Sequence, residues 1–582
     1  MAVARRRKSL TGDLSPNSAE HSVAAIALRY LYQHGVRHVF GIVGREAVAT
    51  LLTESEIQFV LTRHEFAAGI MADVLARLTG IPQVCFCTLG PGVTNMATGI
   101  ASACLDRSPV IVLAAQAESF DLFYNQTHQS LDSVSIVKSM TKFAAALQRP
   151  DEIVSLLEQA YEHCMTEQLG PSFLSLPIDL LRSPAKVDQV FELFPLMPVV
   201  ATTVLGARET SRPDWQEQLG ALATRIKQAT HPLFVAGGAV CRRGADTFLR
   251  QLSEDLGIPI VMSYAAMGLL PRAHPLNFGA ITSYMDGILD FDALDAIFGP
   301  ADLIVTFGYD YAEDLRPTMW TRGQHKSVVH VASTPNEVPQ VLHPELSVVH
   351  PLQESVGYLY KILAGSPKKT LYDITSLRQR IHAVAQDSIE HPEGLTPQQI
   401  ISAINEVLGN GILVSDVGLY RHFAVLFANI DRPGTFITSD GLSTFGFGLP
   451  AAMAAKLAKP DQTVIALCGD GGFQASSPDL ETAVRYDLPI VVIVLRNQSN
   501  GLISLYQKVG HGKINPATVE FGPVNYTALA AANGWHGLRV DTLHQLPGAL
   551  GEAVNMGKPV LIEVPVYYPD LAISKFRVAG IS

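Results

Sequence analysis

Residues 463–502 constrain the chain more than any other stretch. An apolar run (Val464, Ile465, Ala466, Leu467) leads into Gly469-Asp470-Gly471-Gly472, then a helical segment, then a second apolar run over 490–495 that ends at Asn497. The pattern predicts a buried parallel strand, a helix and a second strand. Ser477 is the expected cap of that helix and Pro478 its first residue. Asp470 and Asn497 then fall at the carboxyl ends of neighbouring parallel strands, the edge at which open α/β sheets bind ligands. A carboxylate and an amide oxygen there, beside glycines that let backbone N–H groups come close, suit Mg²⁺ held against a diphosphate. Gly-Asp-Gly by itself is more readily an ordinary strand-to-helix turn; Asn497 at the matching strand end decides for a ligand site.

At 582 residues the chain exceeds one hydrophobic core, and about 150 residues per domain gives three or four domains. Over 20–190 short buried strands (39–43, 59–62, 84–88, 110–115) alternate with amphipathic helices. The alternation recurs over 199–365 (233–236, 258–262, 303–307, 328–331) and again over 396–582, which holds 412–415, 436–438, the Gly-Asp-Gly unit and 560–564. Such alternation means parallel sheets covered by helices. The expected fold is therefore α/β, with three consecutive doubly wound parallel-sheet domains, preceded by a flexible tail over 1–19 and with a polar linker over 366–395. Gly237-Gly238 lacks the full Gly-x-Gly-x-x-Gly spacing of a dinucleotide site and reads as a tight turn.

A net charge of −11 and a pI near 5.9 argue against a nucleic-acid partner, whose phosphates need a basic face. No apolar run reaches the ~20 residues of a membrane helix, so no membrane partner is expected. Arg5, Arg6, Arg7 and Lys8 sit in a stretch with no apolar face and with Asp13, which reads as a tail rather than a transit peptide. The six cysteines lack metal-ligand spacing and read as core residues of a reducing compartment, giving a cytoplasmic expectation.

Gly469-Asp470-Gly471 with Asn497 downstream resembles the thiamin diphosphate signature of the acetolactate synthase and pyruvate decarboxylase superfamily. The usual signature ends in two asparagines; here Arg496 takes the first place, so Asn497 is the implied ligand. The resemblance implies thiamin diphosphate and Mg²⁺ as cofactors. The metal would be held by Asp470, Asn497 and the backbone carbonyl of Ser499, and the cofactor would lie beside Gly469, Gly471, Gly472 and Leu502. Residues 441–450, from Gly441 to Pro450, resemble the segment that sets a bulky apolar side chain under the bent cofactor, with Phe445 in that place. Glu65, within Thr62-Arg63-His64-Glu65-Phe66-Ala67-Ala68-Gly69, reads locally as a first-turn glutamate complementing the helix dipole. The resemblance makes it instead the carboxyl that shares a proton with N1′ of the aminopyrimidine.

Longer segments, among them Leu105-Asp106-Arg107-Ser108-Pro109, Tyr284-Met285-Asp286-Gly287-Ile288-Leu289 and residues 308–317, resemble the carboxyethylarginine synthases that open clavam biosynthesis. This implies a small-molecule reaction of glyceraldehyde 3-phosphate with L-arginine, releasing phosphate and needing no external electron acceptor. The alternative is an acetolactate synthase-like carboligase or 2-oxoacid decarboxylase acting on pyruvate. By the same likeness His128 and Gln129 handle protons at the aldehyde oxygen, Arg421 and His422 grip the substrate phosphate, and Tyr284 reaches that pocket. Asp310 and Asp314 are candidates to receive a guanidinium. Each also has a plainer reading: polar loop, surface charge, or, for Asp314, a pair with Arg316. Ser504 stands where relatives often carry a glutamate facing the thiazolium, and a serine cannot serve as a carboxylic acid. The resemblance also implies a site whose halves come from different subunits, hence at least a homodimer, with a homotetramer as the expected assembly.

Overall fold

The structure is a computed structural model that describes residues 21–44, 56–124, 128–166, 168–185, 214–310, 312–313, 317, 320, 326–335, 343–369, 374–385 and 391–568. The tail and Asp314 lie outside the described residues. Three six-stranded sheets follow one another along the chain. The first contains β1 (His38–Gly41), β2 (Gln58–Leu61), β3 (Gln83–Cys87), β4 (Val110–Gln116), β5 (Phe143–Ala146) and β6 (Ser172–Pro177), in the order β2-β1-β3-β4-β6-β5. The second contains β7 (Pro232–Ala236), β8 (Ile260–Met262), β9 (Asn277–Ala280), β10 (Leu303–Phe307), β11 (Ser327–Ala332) and β12 (Leu346–Val349), in the order β9-β8-β7-β10-β11-β12. The third contains β13 (Ile412–Ser415), β14 (Phe436–Ile437), β15 (Val464–Gly469), β16 (Val491–Arg496), β17 (His536–Arg539) and β18 (Val560–Pro565), in the order β14-β13-β15-β16-β18-β17. Every pairing inside these sheets is parallel.

The central strands are apolar on both faces because helices cover both, as in β16, where five of the six residues are buried. Each sheet has a switch point, where the chain crosses from one side of its early strands to the other, between β1 and β3, between β7 and β10, and between β13 and β15. Those switch points open a crevice at the carboxyl ends of the strands.

Eight helices carry the rest of the argument: α1 (Glu65–Thr79), α2 (Pro91–Leu105), α3 (Ile374–Ala385), α4 (Pro397–Leu408), α5 (Leu419–Phe427), α6 (Gly448–Ala458), α7 (Asp470–Ser476) and α8 (Gly501–His511). The alanine- and glycine-rich sequences of α1, α2 and α6 allow close packing between the first and third domains. A Cβ on Gly69 of α1 would stand 2.7 Å from the Cα of Gly99 on α2. Arg77, in the last turn of α1, binds the carboxylates of Asp73 (2.6 Å) and Asp106 (2.7 Å) and donates to the Thr438 carbonyl of the third domain at 2.8 Å. Asp106 in turn accepts the N–H groups of Asp440 and Gly441.

Two local expectations change. The helix after β15 begins at Asp470 itself, and Ser477–Asp479 form a 3₁₀ turn leading to a further helix, Leu480–Arg485. Ser477 donates to Gln474 rather than capping a helix; the chain turns directly from strand to helix because Gly469 is extended and Asp470 caps the first turn through Gly471 N–H. The stretch expected as a linker carries α3. Among the described residues no helix is long and apolar enough to cross a membrane, and all six cysteines are free.

Candidate active site

β15 ends at Gly469, opposite Leu495 of β16, so Asp470 and Asn497 emerge side by side. Asp470 Oδ2 accepts the N–H groups of Asn497 (3.1 Å) and Gln498 (2.6 Å), and Oδ1 accepts that of Gly471 (2.9 Å). Burial pushes the Asp470 carboxyl up despite these donors, so a cation in the crevice would favour its ionised form. Asn497 Oδ1 accepts Ser499 N–H at 3.2 Å, folding the loop so that Asn497 and Ser499 share a turn. A cavity of about 510 Å³ adjoins this loop and is lined by Asn497, Gln498, Ser499, Gly501, Ser504 and Lys508. Leu502 is part-buried in the first turn of α8. Ser504 Oγ lies 3.0 Å from Ser499 Oγ and 3.2 Å from the Asn500 carbonyl, tying α8 to the loop.

Sequence reasoning missed Asp416. It follows β13 across the same switch point, is fully buried, and accepts Val417 N–H (2.7 Å), Phe447 N–H (3.1 Å) and Gly446 N–H (3.1 Å). Burial pushes it up to about 6. The signal was available: an acid directly after an apolar strand, as at Asp470. Asp416 fixes the loop that carries Phe445, and a Cβ on Gly472 would stand 2.6 Å from Asp416 Oδ2. Phe445 itself is 60% exposed.

The first domain supplies Glu65 as the opening residue of α1, where His64 Nδ1 caps Phe66 N–H. Glu65 is buried and its Oε2 accepts Asn95 Nδ2 of α2 at 3.0 Å. Gly90, at φ +61°, precedes α2; a Cβ there would lie 2.6 Å from the Gln129 carbonyl, so only glycine lets the exposed His128-Gln129 turn rest against the start of α2. Arg63 N–H donates to Asp479 Oδ1 of the third domain at 2.8 Å. The Phe66 ring lies 3.4 Å from a Cβ built on Gly446, which sets the Glu65 end of α1 against the Phe445 loop.

Arg421 and His422 open α5 and are buried between the second and third domains. Arg421 Nη1 donates to the Ser439 carbonyl at 2.7 Å, with its guanidinium over the Tyr264 ring. His422 Nδ1 lies 2.7 Å from Thr282 Oγ1 and 3.0 Å from Tyr264 Oη, while its Nε2 has no partner among the described residues. Burial, then the Arg421 charge, hold His422 well below its ordinary value, so it is neutral. The Tyr284 ring lies 4.0 Å from the His422 ring, and its hydroxyl is hydrogen-bonded to that of Tyr506 on α8. Asp310 does receive a guanidinium, but from within the chain: Arg107 donates Nε (2.7 Å) and Nη2 (3.0 Å) to it. Burial pushes Asp310 up, yet Arg107 more than offsets this and leaves it below its ordinary value. It is therefore a domain-joining group rather than an open acceptor.

Carboxylate, amide oxygen and backbone carbonyl make an all-oxygen donor set beside the cavity of about 510 Å³, so a hard cation fits these residues and the cavity leaves room for its further oxygen ligands. Residues 21–136, 219–359 and 416–564 match, in that order, the N-terminal TPP binding domain, the central domain and the C-terminal TPP binding domain of thiamine pyrophosphate enzymes. The chain belongs to this class of thiamine pyrophosphate-dependent enzymes. Within it the chain is similar to acetolactate synthases. It is 29% identical over 557 residues to the acetolactate synthase of Bacillus subtilis, covering 94% of this chain and 93% of that one. It is also 29% identical to acetolactate synthase isozyme 3 large subunit of Escherichia coli (94% and 95% covered) and 28% identical to a probable acetolactate synthase large subunit of Methanocaldococcus jannaschii (93% and 91%).

Proposed function

We propose that the chain is a thiamin diphosphate- and Mg²⁺-dependent carboligase that joins the three-carbon unit of glyceraldehyde 3-phosphate to the α-amine of L-arginine, giving N2-(2-carboxyethyl)-L-arginine and phosphate. The observation that carries the carboligase reading is the switch-point crevice, with Asp470 and Asn497 at adjacent strand ends, together with buried Glu65 at the start of α1, held by Asn95. In this reading Asp470, Asn497 and the Ser499 carbonyl hold Mg²⁺, Gly469, Gly471, Gly472 and Leu502 border the cofactor, and Phe445 props it. The bound cofactor supplies a carbon nucleophile that adds to an aldehyde. Glu65 shares a proton at the pyrimidine N1′, and Asn95 orients its carboxyl. His128 and Gln129 move protons at the aldehyde oxygen. Arg421 and neutral His422 take the phosphate, with Tyr284 against the imidazole.

The reaction balances without an oxidant, since the aldehyde carbon is oxidised to carboxylate while the adjacent carbon loses its hydroxyl, and the amine replaces phosphate. The substrate pair rests on the long segment resemblances. The arginine side chain has to be met elsewhere than at Asp310. A homodimer, and from it a homotetramer, is supported by exposed Phe120, Phe123, Tyr124 and Leu131 beside His128 and Gln129. A second reading, pyruvate condensation to acetolactate, is favoured by the names of the similar proteins.

Product analysis by mass spectrometry separates the two, with thiamin diphosphate and Mg²⁺ present and either glyceraldehyde 3-phosphate plus arginine or pyruvate supplied. Carboxyethylarginine with stoichiometric phosphate is the expected outcome; acetolactate alone transfers the enzyme to the second reading. Glu65→Gln should lower turnover by about 10²- to 10⁴-fold while cofactor affinity stays within a few-fold; undiminished turnover would overturn the role of Glu65.

A further inference from the structure

A second cleft, of about 920 Å³, lies away from the crevice, between the central domain and two helices of the following segment. One wall is α3, which turns Thr375, Arg378, Gln379 and His382 to it; the other is α4, with Gln398, Ser402, Asn405 and Glu406. Both sets follow helical spacing, so the two helices turn polar faces to one open cleft, in which Thr375, Gln379, His382, Ser402 and Glu406 are exposed and Gln398 is buried. The floor includes Arg272, just before β9, and Asp431.

Among the described residues, the two guanidiniums of this cleft are hydrogen-bonded to backbone carbonyls. Arg272 Nη2 donates to the Leu426 carbonyl at 2.5 Å, and Arg378 donates to the His274 carbonyl (2.9 Å) and the Arg272 carbonyl (3.1 Å). Among the described residues no carboxylate forms an ion pair with either guanidinium. Asp431 accepts the backbone N–H of Arg272 at 2.8 Å instead. Burial first, and then the nearby Arg378 charge, push Arg272 down to about 10 against the pull of Asp431. A separate observation comes from the opposite wall: Gln398 is 6% exposed and its side-chain oxygen has no partner among the described residues. A buried amide oxygen without a partner is costly, and a polar ligand donor can satisfy it.

We propose that this cleft is a second small-molecule site, which takes the oxyanion group, carboxylate or phosphate, of a hydrophilic metabolite between Arg272 and Arg378. Arginine pairs bind such groups through parallel N–H donors. Glu406 and Asp431 bring the cleft close to neutral, so the ligand also carries hydroxyl or ammonium donors that meet Gln398 and Glu406. The site touches the reaction crevice through α5: Arg272 caps the carbonyl of Leu426 near the end of that helix, and Arg421 and His422 stand at its start.

The test is calorimetric titration of the holoenzyme, saturated with thiamin diphosphate and Mg²⁺, with inorganic phosphate in one arm and succinate in the other, against chloride at equal ionic strength. Saturable binding in either arm is expected, and the stronger arm identifies the oxyanion. Arg378→Gln should weaken it at least tenfold and Arg378→Lys less. His382→Glu, which adds a negative charge on the exposed cleft face without removing a structural bond, should also weaken it tenfold, and it covers the case in which Arg378→Gln fails to fold. Absence of heat beyond chloride in both arms, or binding unchanged in His382→Glu, overturns the site.

Discussion

The central and third domains build the same local device and use it oppositely. In each, a strand at the switch point ends in two or more glycines that lead into a helix. In the central domain the turn is closed. A Cβ on Gly237 would stand 2.3 Å from the Gly308 carbonyl, and the Gly238 N–H is capped by buried Glu313. In the third domain Asp470 caps only Gly471 within the turn and otherwise reaches across to the Asn497 loop, while Asp416 holds the facing Gly446 loop. A glycine turn is thus a site or a packing contact according to where the nearest carboxylate comes from.

The comparison breaks most visibly at Asp470. Asp470→Ala should lower turnover at limiting Mg²⁺ by at least about 100-fold, since even outer groups of metal sites cost 10- to 100-fold; steady-state rates over a Mg²⁺ titration read it. Glu313→Ala, by contrast, should cost about 1–3 kcal/mol of stability by leaving Gly238 N–H buried and unpaired. Denaturant unfolding measures that loss, and cofactor affinity should not move; a tenfold change in affinity would erase the contrast between the turns.

The pH dependence sharpens it further. Burial, with Asp310 adding, pushes Glu313 up to about 7 against Arg242 and Gly238 N–H. An acid whose folded value is raised stabilises the fold below its unfolded value of about 4.3, and that contribution is lost as pH rises through about 7. Unfolding free energy should therefore fall with rising pH in this window, and Glu313→Gln should flatten the fall. Asp416 contributes in the same sense and stays in both proteins, so the difference isolates Glu313. The smallest effect is expected from Ser504→Ala: losing one hydroxyl contact to the Ser499 loop, worth about 0.5–1.5 kcal/mol, should weaken Mg²⁺ affinity a few-fold.

Strand period and glycine punctuation made the three sheets legible, because buried parallel strands are apolar throughout and need no partner to be read. Asp470, Asn497 and their adjacency were legible for the same reason. Asp416 carried the same local signal, but what it holds did not show, since its partners Gly446 and Phe447 lie some thirty residues on. The Asp310 ion pair was hidden by distance as well: Arg107 is 203 residues away, and a lone acid in a loop does not disclose its counter-ion. The helix start at Asp470 was misplaced because Ser477-Pro478 carries the usual opening signal inside a stretch that is already helical.

Asp106 and Arg107 are neighbours in sequence, yet one is tied to Gly441 of the third domain and the other to Asp310 of the second. A single peptide bond therefore serves as a corner post for all three domains. The enzyme is not a set of modules that can be shuffled or excised: a chain cut down to its outer domains would keep Arg107 at that corner with its counter-ion removed.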